Sequence, residues 1–397
     1  MNKKAVLLLA ILLFSFIPLV SSDTEWFNSS FQYRNVYAID SSLVDEELYN
    51  FPVLIYLNSS YISWDRVNDN LSDLRFYNIS NNLLSHEIDF FIENDYAYIW
   101  VKIPYINNIS DTYFFMYYGC FYAENIENKT GVWDENFVIV QHMNDETTST
   151  ILDSTIYDND GTKKGVNEPI EADGQIGKAQ NFDGTDDYIS GASSPFDFED
   201  TTFTVEVWFK TDTVASQGFV SEAGIGFGGG WCVGVNANGR LWVVLKEADG
   251  TTAFEGYGIS TTKALDGELH KATFIVTTST VDAHNCGAIF WLDDILEGNA
   301  VLASYGDNPY GKTISNWRLG MRGQVNPLTG LLDEIRILED TPSASWVGAS
   351  YEAQTLNLIS LENTEFYNTE YLAFSIIAIV IALFSFVMVI TIKEKNK

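Results

Sequence analysis

Between its two ends the chain is a succession of short runs in which apolar and polar residues alternate, broken by Asn, Ser, Asp and Gly. From Trp26 to Trp133 these are FQYRNVYAI, FPVLIYL, DLRFYN, HEIDFFIE, YAYIWVKIP and TYFFMYYG. From Asn136 to Ala353 they are FTVEVWFK, RLWVVLK, KATFIVTT, AIFWLDD, NWRLGM and LLDEIRIL. A period of two turns one face of a strand to a core and the other to water, and the first of these regions has no segment with the 3.6-residue apolar period of a helix. The expected fold is all-β, two β-sandwich domains in tandem over 23–133 and 134–353, with 354–370 as a short acidic stalk.

The ends are of another kind. MNKK, the apolar AVLLLAILLFSFIPLV and the small pair Ser21-Ser22 have the form of a secretory signal, so 1–22 is expected to be removed and the mature chain to begin near Asp23. Residues 371–392, YLAFSIIAIVIALFSFVMVITI, carry no charge and are long enough to cross ~30 Å of hydrocarbon as one transmembrane helix. KEKNK, 393–397, follows at once, and its lysines place that end in the cytoplasm and the bulk of the protein outside, a single-pass type I arrangement at the cell membrane.

With 54 acidic against 22 basic residues the net charge is −32, which excludes nucleic acid as a partner, because phosphate recognition needs a basic footprint. Three cysteines, Cys120, Cys232 and Cys286, cannot all pair within one chain; Cys232 with Cys286 is one bridge to consider, and Cys120 reads as a buried thiol.

HEIDFFIE, residues 86–93, raises the question of catalysis, since Glu87, Asp89 and Glu93 fall on one face of a strand and paired carboxylates are the tools of glycosidases. A two-residue turn at Asn94-Asp95 makes a hairpin with YAYIWVKI, setting Glu87 opposite Lys102 and Asp89 opposite Trp100, with the acids on the solvent side. Three residues separate Asp89 from Glu93, one or two more than the Glu-x-Asp-x-Glu signature allows. The expectation is a solvated face and no enzyme. His86, His142, His270 and His284 fit neither a Ser/His/Asp arrangement nor zinc spacing, and His142 and His270 read as packing residues.

On WFNSSFQYRN, FPVLIYL, DLRFYN, HEIDFF, YIWVKIP and the MYYG before VWD, the first region resembles the domain of unknown function DUF2341, seen in archaeal and bacterial surface proteins. The second is similar to laminin-G-like (LamG) domains, concanavalin A-type jelly rolls. The likeness rests on LDSTIYDNDGT, GQIGKAQNFDGTDDYIS, FTVEVWFK, LHKATFIV, FWLDDILEG and GLLDEIRILEDTPSASWVGASYEA. This resemblance implies binding of carbohydrates or proteins, often with calcium; only some such domains are enzymes.

In LLDEIRIL, Leu331, Asp333, Ile335 and Ile337 share a face, so Asp333 points where the apolar side chains do and needs hydrogen bonds, a cation or a metal. Asp153, Asp158 and Asp160 of DSTIYDNDGT could join it as hard oxygen ligands for Ca²⁺, although no glutamate stands at the twelfth position of an EF-hand. The alternative is that Asp333 accepts backbone N–H bonds and the others lie on a solvated loop. Phe227, Trp231, Trp242 and Tyr257 are candidates to stack on sugar rings, and core packing is the alternative for each.

Six Asn-x-Ser/Thr acceptors, Asn28, Asn58, Asn70, Asn78, Asn108 and Asn128, fall in the first region and none in the second. The first region is therefore expected to be glycan-coated, and the sugar-free second to meet the partner. Together these features indicate a surface recognition or adhesion protein that binds glycans or a surface protein. The rival readings are a structural envelope component without soluble ligand and a glycan-cleaving enzyme.

Overall fold

The computed structural model describes residues 26–145, 150–165, 169–191, 195–223, 229–259, 263–299, 301–305, 310–311, 316–322 and 325–367, with 223 and 301–305 for their backbone only. The signal segment 1–22, the apolar run 371–392 and Phe227 lie outside the described residues. Among the described residues no helix is long and apolar enough to cross a membrane.

The all-β expectation holds. The first module is a sandwich of a five-stranded and a three-stranded antiparallel sheet. The larger has the order Ile359–Phe366, Tyr33–Ile39, Thr112–Tyr118, Arg75–Asn78, Leu83–Leu84, and the smaller Leu48–Asn58, Tyr96–Ile106, His86–Ile92. Alternation works as the sequence implies: Tyr37, Ile39, Phe114, Met116, Val53, Ile55, Ile99 and Val101 meet between the sheets in one core.

The first strand of the larger sheet corrects the reading of 354–370 as a stalk. Ala344–Gln354 is an α-helix capped by the Ser343 hydroxyl, and Ile359–Phe366 is a strand paired along Tyr33–Ile39, Leu361 opposite Tyr37 and Glu365 opposite Arg34. Acidity hid the alternation of ISLENTEF, whose Ile359 and Leu361 pack on the core while Glu362 and Glu365 point away. The chain thus returns from the second module to complete the first.

The second module stacks an eight-stranded sheet on a nine-stranded one. Phe203, Val205, Val207 and Phe209 of the former face Trp231, Val233, Val243 and Leu245 of the latter across a single large core. The three cysteines are free: Cys286 belongs to that core, whereas Cys232 packs with Trp242 and Val244, the residues alternate to those facing the core, on the opposite face of the nine-stranded sheet.

The modules pack directly on each other. Leu54 and Trp100 from the outer face of the three-stranded sheet, and Val132 and Trp133 from the short helix Lys129–Val132 and its cap, close over Val140, Ile176 and Leu338 of the second module. The helix Ala344–Gln354 fills the rest of the seam. Ala349 and Ala353 enter the first module's core, and Ser350 and Gln354 turn to Glu206, Lys271 and Trp208 on the eight-stranded sheet.

Candidate functional site

The seam is where the structure departs furthest from the sequence expectation for HEIDFFIE. Ile92 pairs with Tyr96, so the hairpin connection is three residues, with Asn94 at positive φ, and Asp89 is the extra residue of a bulge between Ile88 and Phe90. Glu87 consequently lies opposite Trp100 rather than Lys102. The acids do leave the core face, but the face they occupy is covered by the second module, and the Glu87 and Asp89 side chains are 6% and 0% exposed. Glu93 alone stays in solvent.

A second bulge meets them from the other side. Trp208 pairs with Asp333 and Glu206 with Arg336, so Glu334 and Ile335 share the space opposite one residue, and Glu334 takes φ +50°. A left-handed glutamate is uncommon, and here it turns the carboxylate into the seam. The bulge also overturns the expected facing of Asp333: Ile335 and Ile337 enter the core together with Leu332, while Asp333 lies on the Trp208 side.

Between the bulges sits His142, which is not a packing residue. Its Nδ1 is 2.7 Å from Glu334 Oε1 and 3.4 Å from Asp89 Oδ2, and its Nε2 is 3.3 Å from Glu87 Oε2. Trp133 Nε1 donates to Glu87 at 2.6 Å, and the Ser154 hydroxyl donates to its other oxygen. Trp100 Nε1 and Asn144 Nδ2 donate to Asp89 at 3.0 and 2.8 Å. Arg336 donates to Glu334 at 2.7 Å and lies over the Trp100 ring, 4.3 Å from its centroid.

Burial alone would lower the His142 pKa, yet Asp89, Glu334 and Glu87 hold it well above the usual imidazole range. Burial would raise Glu334 and Glu87; His142, joined by Arg336 at Glu334 and by the Ser154 and Trp133 bonds at Glu87, outweighs it, holding Glu334 at about 2 and Glu87 below its ordinary value. Asp89 and Asp333 go the other way, pushed up well above the carboxylate range, first by burial and, for Asp333, next by Glu334. The seam therefore sets carboxylates against the two cations His142 and Arg336, with burial pushing the pKa of two of its carboxyls up, as a water-excluded site does. One nitrogen of His142 and one oxygen each of Asp89 and Glu334 lie within 4.8 Å of one another, a set that could ligate a divalent cation if the ring were neutral. The raised pKa of the ring works against that neutral form.

The four carboxylates considered for calcium are not brought within ligating reach of one another. Asp333 accepts the N–H groups of Gln175 and Ile176 at 2.7 and 3.1 Å. Asp153, fully buried, accepts N–H bonds from Val140, Thr155 and Asn159 and knots its own loop. Asp160 receives the Asp153 N–H, and Asp158 is exposed at φ +50°. A different trio, Asp183, Asp186 and Asp187, does converge within 4.8 Å, on the turn after Phe182. Gly184 makes that turn at φ +78°, where a Cβ would lie 1.9 Å from Thr329 Oγ1.

The aromatic candidates separate by strand parity. Trp231 faces inward and packs on Phe196, Phe198 and Phe203, out of any ligand's reach. Trp242 and Tyr257, paired across neighbouring strands, are on the opposite face. Trp242 is a buried floor beneath Arg322, whose guanidinium is 5.4 Å from the ring centroid, and its Nε1 has no hydrogen-bond partner among the described residues. Tyr257 is half-buried and donates to Glu255 at 2.7 Å. Lys246 lies close enough to Arg322 that, after partial burial, the guanidinium is the next cause of its lowered pKa. Further along the same face Arg318 covers Tyr188, 4.6 Å from the ring centroid. The cationic members carried no motif, so only the sheet order could assemble them.

Sequence comparison divides the chain in the same order. Residues 70–159 match the domain of unknown function DUF2341, a span that includes Glu87, Asp89, His142 and Ser154. Residues 183–348 match the concanavalin A-like lectin/glucanases superfamily. No curated protein matches the sequence. Among solved structures the chain is similar to domain 4 of AbnA, a GH43 extracellular arabinanase from Geobacillus stearothermophilus, in complex with arabinotriose, at 18% identity and a TM-score of 0.39, over 54% of this chain and 97% of that one. It is also similar to the binding domain of Paraclostridial Mosquitocidal Protein 1, at 15% identity and a TM-score of 0.42, over 55% and 52%. The botulinum neurotoxin serotype D binding domain is 11% identical with a TM-score of 0.40, over 55% and 52%. The match spans about half the length of these two toxin binding domains.

Proposed function

We propose that the protein is a membrane-held surface recognition or adhesion protein that binds glycans through its second module. The observation that carries the reading is the outer face of the nine-stranded sheet, where Lys246, Arg318 and Arg322 stand beside Tyr188 and Tyr257 over the Trp242 floor. In a chain with 22 basic residues against 54 acidic ones, three cations gather on this aromatic face, with Glu255 among them on Tyr257. Aromatic faces and charged forks together suit an acidic saccharide, the ring against the aromatic and the carboxylate on the guanidinium. The lectin/glucanase match covers every one of these residues.

Burial weighs against the catalytic alternative. Glu87, Asp89 and Glu334 are the clustered carboxylates, and a polysaccharide has no path to side chains sealed under a second module. A structural envelope role is the second reading, supported by the buried seam, apolar residues beside a charged cluster, that joins the two modules. The chain incubated with immobilised acidic and neutral polysaccharides tests these together. Retention on acidic ones without new reducing ends supports recognition, new reducing ends would support catalysis, and neither would leave the envelope role.

A further inference from the structure

We propose that the first module rests directly on the lipid headgroups, through an aromatic rim at the end of its five-stranded sheet. This rests on the reading of 371–392 as a membrane span. Trp26 and Tyr367, first and last of the described residues, come together at one end of the sheet with ring centroids 5.4 Å apart. There Phe366 is paired with Tyr33, and Tyr33 with Tyr118, the residue after which the loop Gly119–Ala123 begins.

This end gathers three exposed aromatic rings. Phe121 and Tyr122 are 79% and 89% exposed and Phe366 is 66% exposed. Cys120 and Ala123 pack against the cluster of Phe31, Phe115 and Tyr117, on which Trp26 and Phe27 also pack, so the Phe121-Tyr122 tip and the N-terminal segment share one cluster. The two arginines of this end are withdrawn: Arg34 pairs with Glu365 beneath Trp26, and Arg75 donates to the backbone of Ser72 and Leu74. What projects furthest is aromatic, with Glu124 the exposed charge that follows the tip.

The chain itself supplies the occupant. Four residue steps separate Tyr367 from Tyr371, the start of the apolar run, and at up to ~3.6 Å each they reach at most ~14 Å. The headgroup layer on one side of a bilayer is ~6 Å deep, so Phe366 is held within reach of it. Phe, Trp and Tyr gain from that layer because it accepts an apolar ring and a polar edge together. With a net charge of −32 the contact is expected to need no anionic lipid.

The test uses the full chain in phosphatidylcholine nanodiscs carrying a gadolinium-chelating headgroup lipid, with p-fluorophenylalanine placed in turn at positions 121, 366 and 109. Ile109 is 86% exposed and belongs to the opposite end of the sheet, six residues of strand or ~20 Å away. Expected is loss of the ¹⁹F signal at 121 and 366 with retention at 109. Retention at all three, in chain that stays in the disc after alkaline washing, overturns the seating and leaves the span intact. Chain that washes off the disc overturns both. In the doubly substituted Phe121→Ser, Tyr122→Ser chain the signal at 366 should return, and its continued loss would show that the tether alone brings position 366 to the lipid.

Discussion

Glu87 of the first module and His142 of the second meet across the seam, carboxylate oxygen to ring Nε2 at 3.3 Å, with Trp133 donating to the same oxygen. Removing one partner of such a pair leaves the other buried without compensation, a loss of ~3–5 kcal/mol. Glu87→Ala should therefore lower the melting temperature by ~4–7 °C, since at ~2.1 cal/mol/K of unfolding entropy per residue, ~1 kcal/mol moves a chain of this size by only ~1.3 °C. Glu87→Gln, whose one oxygen can still accept from Trp133 while its amide donates to Ser154 Oγ, should cost less. Scanning calorimetry checks both, and equal melting of wild type and Glu87→Ala would show that the seam does not hold the modules.

The same cluster sets the pH response. His142 has a raised pKa, so its contribution is complete below the ordinary imidazole value of 6.5 and is lost as pH rises through the native value. Asp89 and Asp333, whose pKa burial raises, also withdraw stability as pH rises above the ordinary carboxylate range. Glu334, held at about 2, opposes them only on the acid side, its contribution present above the ordinary 4.5 and lost as pH falls toward 2. Denaturant midpoints should fall from pH 6.5 to 9, and His142→Gln should flatten that slope; an unchanged slope would show that His142 is neutral in the native protein.

Lys271 and Glu206, 2.8 Å apart with each side chain 1% exposed, form a second buried pair beneath the helix Ala344–Gln354. Burial pushes Lys271 down to about 8 even against its partner. Glu206→Gln alone should destabilise by ~3–5 kcal/mol, whereas Glu206→Leu with Lys271→Met should be neutral or stabilising by ~1–4 kcal/mol. Urea unfolding of the three proteins distinguishes a structural pair from one retained for another duty.

The six sugar-acceptor asparagines are not equivalent. In Asn28, Asn58, Asn70 and Asn78 the side-chain oxygen accepts the N–H of the serine two residues on. Asn108 instead spends its amide nitrogen on Asp45 O at 3.1 Å, and Asn128 spends its own on Ser85 Oγ at 3.3 Å while capping a helix. In a host that attaches N-linked sugar to folded protein, peptide mass spectrometry should find Asn58, Asn70 and Asn78 occupied and Asn108 and Asn128 bare, with Asn28, two residues from the Trp26 rim, occupied only in chain not seated on lipid. Sugar at Asn108 or Asn128 would contradict this.

Strand positions, the two-module order and the core were legible because alternation reports which face is apolar. The same signal set the facing of Glu87 correctly and its environment wrongly, since parity shows that a residue leaves the core but not what then covers it. Bulges were the other blind spot. Asp89 and Glu334 each break the period of two by one residue, without a glycine to mark the place, and both occur where the modules meet. Ile359–Phe366 was hidden for a simpler reason: an edge strand with one face in water can be as acidic as a linker.

The most direct test of the functional account is an array of acidic and neutral saccharides probed with wild type, Arg322→Ala and Tyr257→Ala, each first shown to melt as wild type does. The account predicts retention on carboxylated saccharides that both substitutions abolish. Retention unchanged in both variants, or restricted to neutral sugars, would contradict it.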